Sequence, residues 1–322
     1  MGVSTDVGPP VTPSTPRHVV LLHRAVPPRL RGAIAYRRFA LASVVANVVI
    51  VVTGGVVRLT NSGLGCPTWP QCTDASLTPT KKYAIHGIIE FTNRQLTFVL
   101  VIIAVATWLV AMARVEQRRL ATIAALSIPA QAVLGGLTVR THLNPWLVGA
   151  HFLLSMAITF VTFWLWWRVR GSAPALAVPR PALQLARAMV AVAAAVLALG
   201  TVVTGSGPHA GDVHNGRVHR NGLAVSSMAQ LHADSVMVLI GVSVGLVAVL
   251  YAVRASEPVR RAALLLLAVE FTQAIIGYTQ YFLHVPPVLV GLHMLGACLL
   301  WLAALNLLAR VDPRTVVPTT VT

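Results

Sequence analysis

Charge is scarce in this chain, and acidic charge is scarcest. Nine of the 322 residues are Asp or Glu, and all charged residues together make up 11%. Soluble domains devote about a quarter of their residues to Asp, Glu, Lys and Arg, so a conventional water-soluble core is excluded. Aromatic residues are few, at 6%, and there are three cysteines, Cys66, Cys72 and Cys298. That number cannot build a disulfide-dense scaffold or a four-cysteine metal site. What is present is apolar: 56% of residues are hydrophobic, and the mean hydropathy of +0.74 is that of a polytopic membrane protein.

Eight apolar runs are long enough to cross a bilayer, at about 38–57, 83–112, 120–140, 147–167, 188–206, 225–253, 262–283 and 288–309. Runs of this length exclude a barrel and require helices, which satisfy their own backbone in lipid. The fold class expected is an all-α membrane protein of eight transmembrane helices in two pseudo-symmetric four-helix halves. The halves are 38–168 and 188–310, joined by a Pro/Ala/Arg linker over 169–187. Tails at 1–37 and 311–322 flank them, the first rich in Pro, Thr and Arg and read as disordered.

An internal repeat supports the division. At a constant offset of 142, Gln131 matches Gln273, Gly135 matches Gly277, His142 matches His284, Pro145 matches Pro287 and His151 matches His293. VVTG recurs at Val51–Gly54 and Val202–Gly205. Four helices per half give both halves one orientation, with a pseudo-two-fold along the membrane normal.

The net charge of +16 is a topology signal rather than a nucleic-acid footprint. Eighteen basic residues fall in the two tails and alternate loops, against six in the other loops. The bias places both termini in the cytoplasm of a cell-membrane protein.

Polar chemistry concentrates in a few places. Along Tyr83–Thr97, His86, Glu90, Asn93 and Arg94 share one face of a membrane helix. An ionisable group at that depth is costly and marks a functional site by default. His232 and His293 lie at similar depth on the sixth and eighth runs, as two axial ligands of one haem require. Zinc favours a compact set of three or four ligands. His151 sits at the depth of His293 in the earlier half. His142 and His284 are loop histidines or contacts of haem propionates, and His209, His214 and His219 fill a loop read as a mobile cover. Cys66 and Cys72 lie in an outside loop bent by Pro67 and Pro70, which suits a disulfide. Cys298 reads as a packing residue. Glu270 is a second intramembrane carboxylate, with no role assigned.

Together TGGVVRLTNSGLGCPTWPQC, IEFTNRQLT, LVGAH, AQLH and LVGLH resemble the haem A synthase family over about Phe39–Arg310. The resemblance implies conversion of haem O to haem A by oxidation of the C8 methyl to a formyl group through successive hydroxylations, for cytochrome oxidase biogenesis. It implies a resident haem b ligated by His232 and His293, and substrate haem O on His151; Asn93 stands at the second-ligand position, so the iron is either five-coordinate on His151 alone or takes His86 as its second imidazole. It makes Glu90 the catalytic carboxylate, supported by Arg94 as its ion-pair partner or as a propionate contact. Haem O synthase and cytochrome oxidase assembly factors are the implied partners, with the lipid bilayer around them. The family's pattern is Glu-x-x-His-Arg; here Asn93 stands at the histidine. The rival readings are a bis-histidine membrane cytochrome b acting as an electron carrier, and a transporter.

Overall fold

A computed structural model describes residues 27, 32–80, 84–112, 115–170, 178–212 and 219–312. Eight helices in it are long and apolar enough to cross a membrane. They are α1 (Ala33–Leu59), α2 (Ala84–Ala111), α3 (Val115–Arg140), α4 (Pro145–Val169), α5 (Arg180–Ser206), α6 (Val225–Ala252), α7 (Glu257–Phe282) and α8 (Pro287–Val311). Among the described residues the only β pairing is an isolated bridge between Thr73 and Ser76.

Several helices start where the sequence says they should. Proline occupies the first turn of α4, α5, α7 and α8, where its missing N–H costs nothing and its φ is already helical. Asn144 caps α4, its side chain accepting from the amides of Trp146 and Leu147. Other starts are earlier than the apolar runs: α1 begins at Ala33, α3 at Val115, α5 at Arg180 and α7 at Glu257. The extra turns carry arginines that bond groups at the helix ends, Arg37 to the Val169 carbonyl, Arg118 to the Met112 carbonyl and Arg187 to Asp312. The tail expected over 1–37 and the linker expected over 169–187 therefore lose residues to α1 and α5. Most of both tails, part of the linker and His214 lie outside the described residues.

Packing follows chain order. Within 33–169, α1 packs on α2, α2 on α3, α3 on α4 and α4 back on α1; α5 to α8 repeat this circuit. The two circuits meet through α1, α4, α5 and α8. Trp301 on α8 donates from Nε1 to the Met156 carbonyl on α4 at 3.0 Å, a buried bond across that seam. The main apolar core runs along the seam and into α5–α8, through Met156, Phe163, Met189, Leu246 and Leu305.

Two corresponding turns are built alike. His142 and Leu143 before α4, and His284 and Val285 before α8, all adopt positive φ, between 51° and 61°. Leu143 N donates to Thr138 O at 2.8 Å, and Val285 N to Gln280 O at 2.7 Å. Each turn delivers a proline-started helix that carries a histidine two turns on.

Candidate functional site

Glu90 lies on α2 with 5% of its surface exposed. Its Oε2 accepts from the Cys66 amide at 2.7 Å. Its Oε1 accepts from Arg94 Nε at 3.1 Å and from a terminal nitrogen of Arg94 at 2.6 Å. Arg94 is one helical turn further on, so the pair is an i,i+4 contact that α2 itself positions. Arg94 also donates to the carbonyls of Cys66 at 2.8 Å, Thr68 at 3.1 Å and Gln71 at 3.3 Å. Five bonds use every N–H of a guanidinium. Of the two roles weighed for Arg94, the bond to Glu90 is formed, and the arrangement leaves no donor for a propionate.

Cys66 and Cys72 form the expected disulfide, with Cα atoms 4.3 Å apart. The loop it closes is the one that Glu90 and Arg94 grip. The sequence placed the disulfide and the ion pair separately; that they form one unit depends on the path of the loop back over α2.

In the later half His232 and His293 come together. Their ring centroids are 6.5 Å apart, with planes at 75°. Metal–imidazole bonds are about 2 Å long, so two rings on opposite sides of one iron have centroids about 6 Å apart. The observed pair has that spacing. Nδ1 of His151, His232 and His293 is in each case buried without a hydrogen-bond partner. Each ring also faces a glycine. A Cβ at Gly135 would lie 3.0 Å from Cε1 of His151, one at Gly200 3.3 Å from Cε1 of His232, and one at Gly277 3.3 Å from Cε1 of His293. Missing methyl groups thus leave room for the imidazoles. These residues fit a haem in the later half, and among the described residues no cluster of three or more His, Cys, Asp or Glu offers a zinc-type alternative.

The earlier half is different. His151 is held from behind by Gln131, whose Nε2 donates to the His151 carbonyl at 2.9 Å and to Ser155 Oγ at 2.5 Å. Asn93 Oδ1 accepts from Thr53 on α1 at 2.8 Å. His86 Nδ1 lies 3.0 Å from Ser62 Oγ, at the loop end of α2. Among the described residues no ring contact joins His86 to His151.

Other polar groups are accounted for. His209 bonds the Val285 carbonyl at 2.8 Å, and its own carbonyl accepts from Arg58 Nε at 2.5 Å. The described part of that loop is therefore tied down, where the sequence suggested a mobile cover. His142 stacks on His219, with centroids 6.5 Å apart. Glu270 is 1% exposed; Ser243 donates to its Oε1 at 2.8 Å, and Oε2 has no partner. Cys298 is a buried free thiol. Thr53, Ser62 and Ser243 were missed by sequence reasoning, because small hydroxyls in apolar helices give no periodic signal. Gly135 and Gly277 were visible as repeat matches, but their role was not.

The sequence profile of the cytochrome oxidase assembly protein family matches residues 37–305. A heme A synthase of Geobacillus thermodenitrificans is 33% identical over 151 residues, covering 45% of this chain and 47% of that protein. Another, from Geobacillus kaustophilus (strain HTA426), is 30% identical over 146 residues, covering 44% and 45%. A heme A synthase of Lysinibacillus sphaericus (strain C3-41) is 32% identical over 123 residues, covering 37% and 39%. The chain spans at most about half the length of these curated relatives.

Proposed function

The chain belongs to the cytochrome oxidase assembly protein family, and on that premise we propose that it is a haem A synthase. It oxidises the C8 methyl of haem O to a formyl group. The change is a four-electron oxidation, most simply two hydroxylations followed by loss of water. The two helix circuits are the pseudo-symmetric halves, the later holding resident haem b and the earlier receiving haem O. The protein sits in the cell membrane with both termini cytoplasmic, as its basic residues indicate. It works beside haem O synthase and cytochrome oxidase assembly factors.

His232 and His293 are the residues that would hold haem b, which when bound supplies one-electron redox chemistry. His151 is the imidazole for the substrate iron. Among the described residues His86 makes no ring contact with His151 like the one that pairs His232 with His293, and Asn93 is a poor iron ligand beside imidazole, so His151 alone carries that role. Glu90 takes or stabilises charge at the reacting methyl. Burial strengthens its electrostatic effect, while Arg94 and the Cys66 amide hold it in one position.

The observation that supports this reading over a cytochrome b electron carrier is Glu90. A carrier needs the histidine pair but not a buried, fixed carboxylate on the helix that corresponds to the His232 helix. The test is co-expression with a haem O-producing enzyme in the presence of an electron acceptor, followed by mass identification of the extracted haems. Haem A is expected; haem O recovered unchanged would reject the reading.

A further inference from the structure

At the end of the bundle opposite the disulfide, α1, α4 and α8 converge. Arg37 of α1 donates from Nε to the Val169 carbonyl at 2.9 Å, which brings its guanidinium beside the end of α4. The next residue, Arg170, lies over Trp166 and Trp167, at 5.1 and 4.2 Å from their ring centroids. From α8, Arg310 approaches the same Trp167 ring at 5.6 Å. Trp167 is 4% exposed and stacks on Phe163 at 5.9 Å, so the indole is a fixed shelf. Two cations share that shelf and a third stands next to them. Burial, and then the charge of Arg310, lower the pKa of Arg170 below its ordinary value.

Among the described residues no carboxylate pairs with them. The ion pairs among the described residues are Glu90 with Arg94, Asp312 with Arg187, and Glu257 with Arg261. Asp312 is close in sequence to Arg310 but is taken by Arg187 at 2.9 Å. The adjoining segments 171–177 and 313–322 contain no acidic side chain. Like charges gathered against a low-dielectric wall repel unless an anion lies among them.

We propose that Arg37, Arg170 and Arg310 form a binding site for the phosphate of an anionic lipid headgroup at the seam of α1, α4 and α8. The chemistry fits. Guanidinium groups bind phosphate oxygens through paired N–H bonds, tryptophans gather at the level of the headgroups, and basic pockets between membrane helices take anionic lipids. The site joins the two helix circuits at the end where Trp301 does not reach, so the lipid acts as a clamp between them. It is independent of the haem chemistry above.

The test uses the full chain, delipidated in neutral detergent and then mixed with vesicles of phosphatidylglycerol or of phosphatidylcholine. Lipid retained after repurification is counted by native mass spectrometry. Wild type should keep phosphatidylglycerol and not phosphatidylcholine. The pair R170Q/R310Q should lose retained phosphatidylglycerol by at least about tenfold, and each single change should lose part of it, with helix content unchanged. R180Q, at the exposed start of α5, should behave as wild type. Equal retention by wild type and R170Q/R310Q would overturn the site. So would full retention by R170K/R310K, which would assign the effect to bulk charge. Release of the lipid by millimolar inorganic phosphate would overturn the lipid and assign the arginines to a soluble anion.

Discussion

The Cys66 amide donates to Oε2 of Glu90 at 2.7 Å, so a loop outside the helices and a carboxylate inside them hold each other in place. Arg94 completes the unit by bonding Glu90 and three loop carbonyls. A disulfide, an ion pair and an amide therefore act on one point of α2.

Glu90→Gln keeps the size of the side chain and removes the charge that Arg94 neutralises. Haem A formation should fall at least about 100-fold, the usual scale of a lost proton-handling group. The absorbance of haem bound in the later half should be unchanged. Haem A production at the wild-type rate would remove Glu90 from the chemistry.

Arg94→Lys retains one positive charge but cannot reach three carbonyls and Oε1 from a single nitrogen. Amide hydrogen exchange across 62–76 should quicken, most of all at Cys66, and haem A formation should drop about tenfold through loss of one or two charge-assisted bonds. An unchanged exchange pattern would show that the disulfide alone holds the loop.

The histidines should separate by half. His293→Ala should abolish the resident haem spectrum, and His151→Ala should spare that spectrum while preventing haem O from binding. His86→Ala should leave both untouched, because among the described residues His86 does not face His151 as His232 faces His293. Optical titration of purified variants with haem O distinguishes the three.

A fourth outcome concerns Asn93. The VVTG repeat places Val49 where the later half has Gly200, whose Cβ would stand 3.3 Å from His232. Asn93→His alone should therefore seat its ring poorly against Val49. The pair Val49→Gly with Asn93→His should convert the substrate haem to a low-spin, six-coordinate species, read by electron paramagnetic resonance. A low-spin signal from the single change would show that Val49 is no obstacle.

Among the described residues Glu270 has no counter-ion, and one of its oxygens has no partner. Glu270→Gln keeps its shape and an acceptor for Ser243 without an unpaired charge. The thermal midpoint in lipid should stay level or rise, since an unpaired buried carboxyl is costly to ionise and an amide of the same shape avoids that cost. A fall of several degrees would point to an essential charge at this position.

Much of the architecture was legible because bilayer thickness fixes the length of an apolar run, and because the repeat needed no gap from Gln131 to His151. His232 and His293 were legible from depth alone. Helix starts were not, since hydropathy stops where arginines begin while the backbone continues. The grip of Arg94 on Cys66, Thr68 and Gln71 was hidden for another reason. Its acceptors are backbone carbonyls, which every residue has, so no side-chain pattern announces them. Thr53 and Ser62 were lost in the same way, as hydroxyls that most often bond back to their own helix.

Gly135, Gly200 and Gly277 give the mutational landscape an inverted scale. Every glycine codon is one base change from an alanine codon, and alanine is ordinarily the mildest replacement available to a membrane helix. At these three positions the added methyl meets the edge of an imidazole at 3.0 to 3.3 Å and must displace it. Drift that a neighbouring lipid-facing position absorbs unnoticed would here shift a ligand. Selection on this chain should therefore act most strictly where the side chain is smallest.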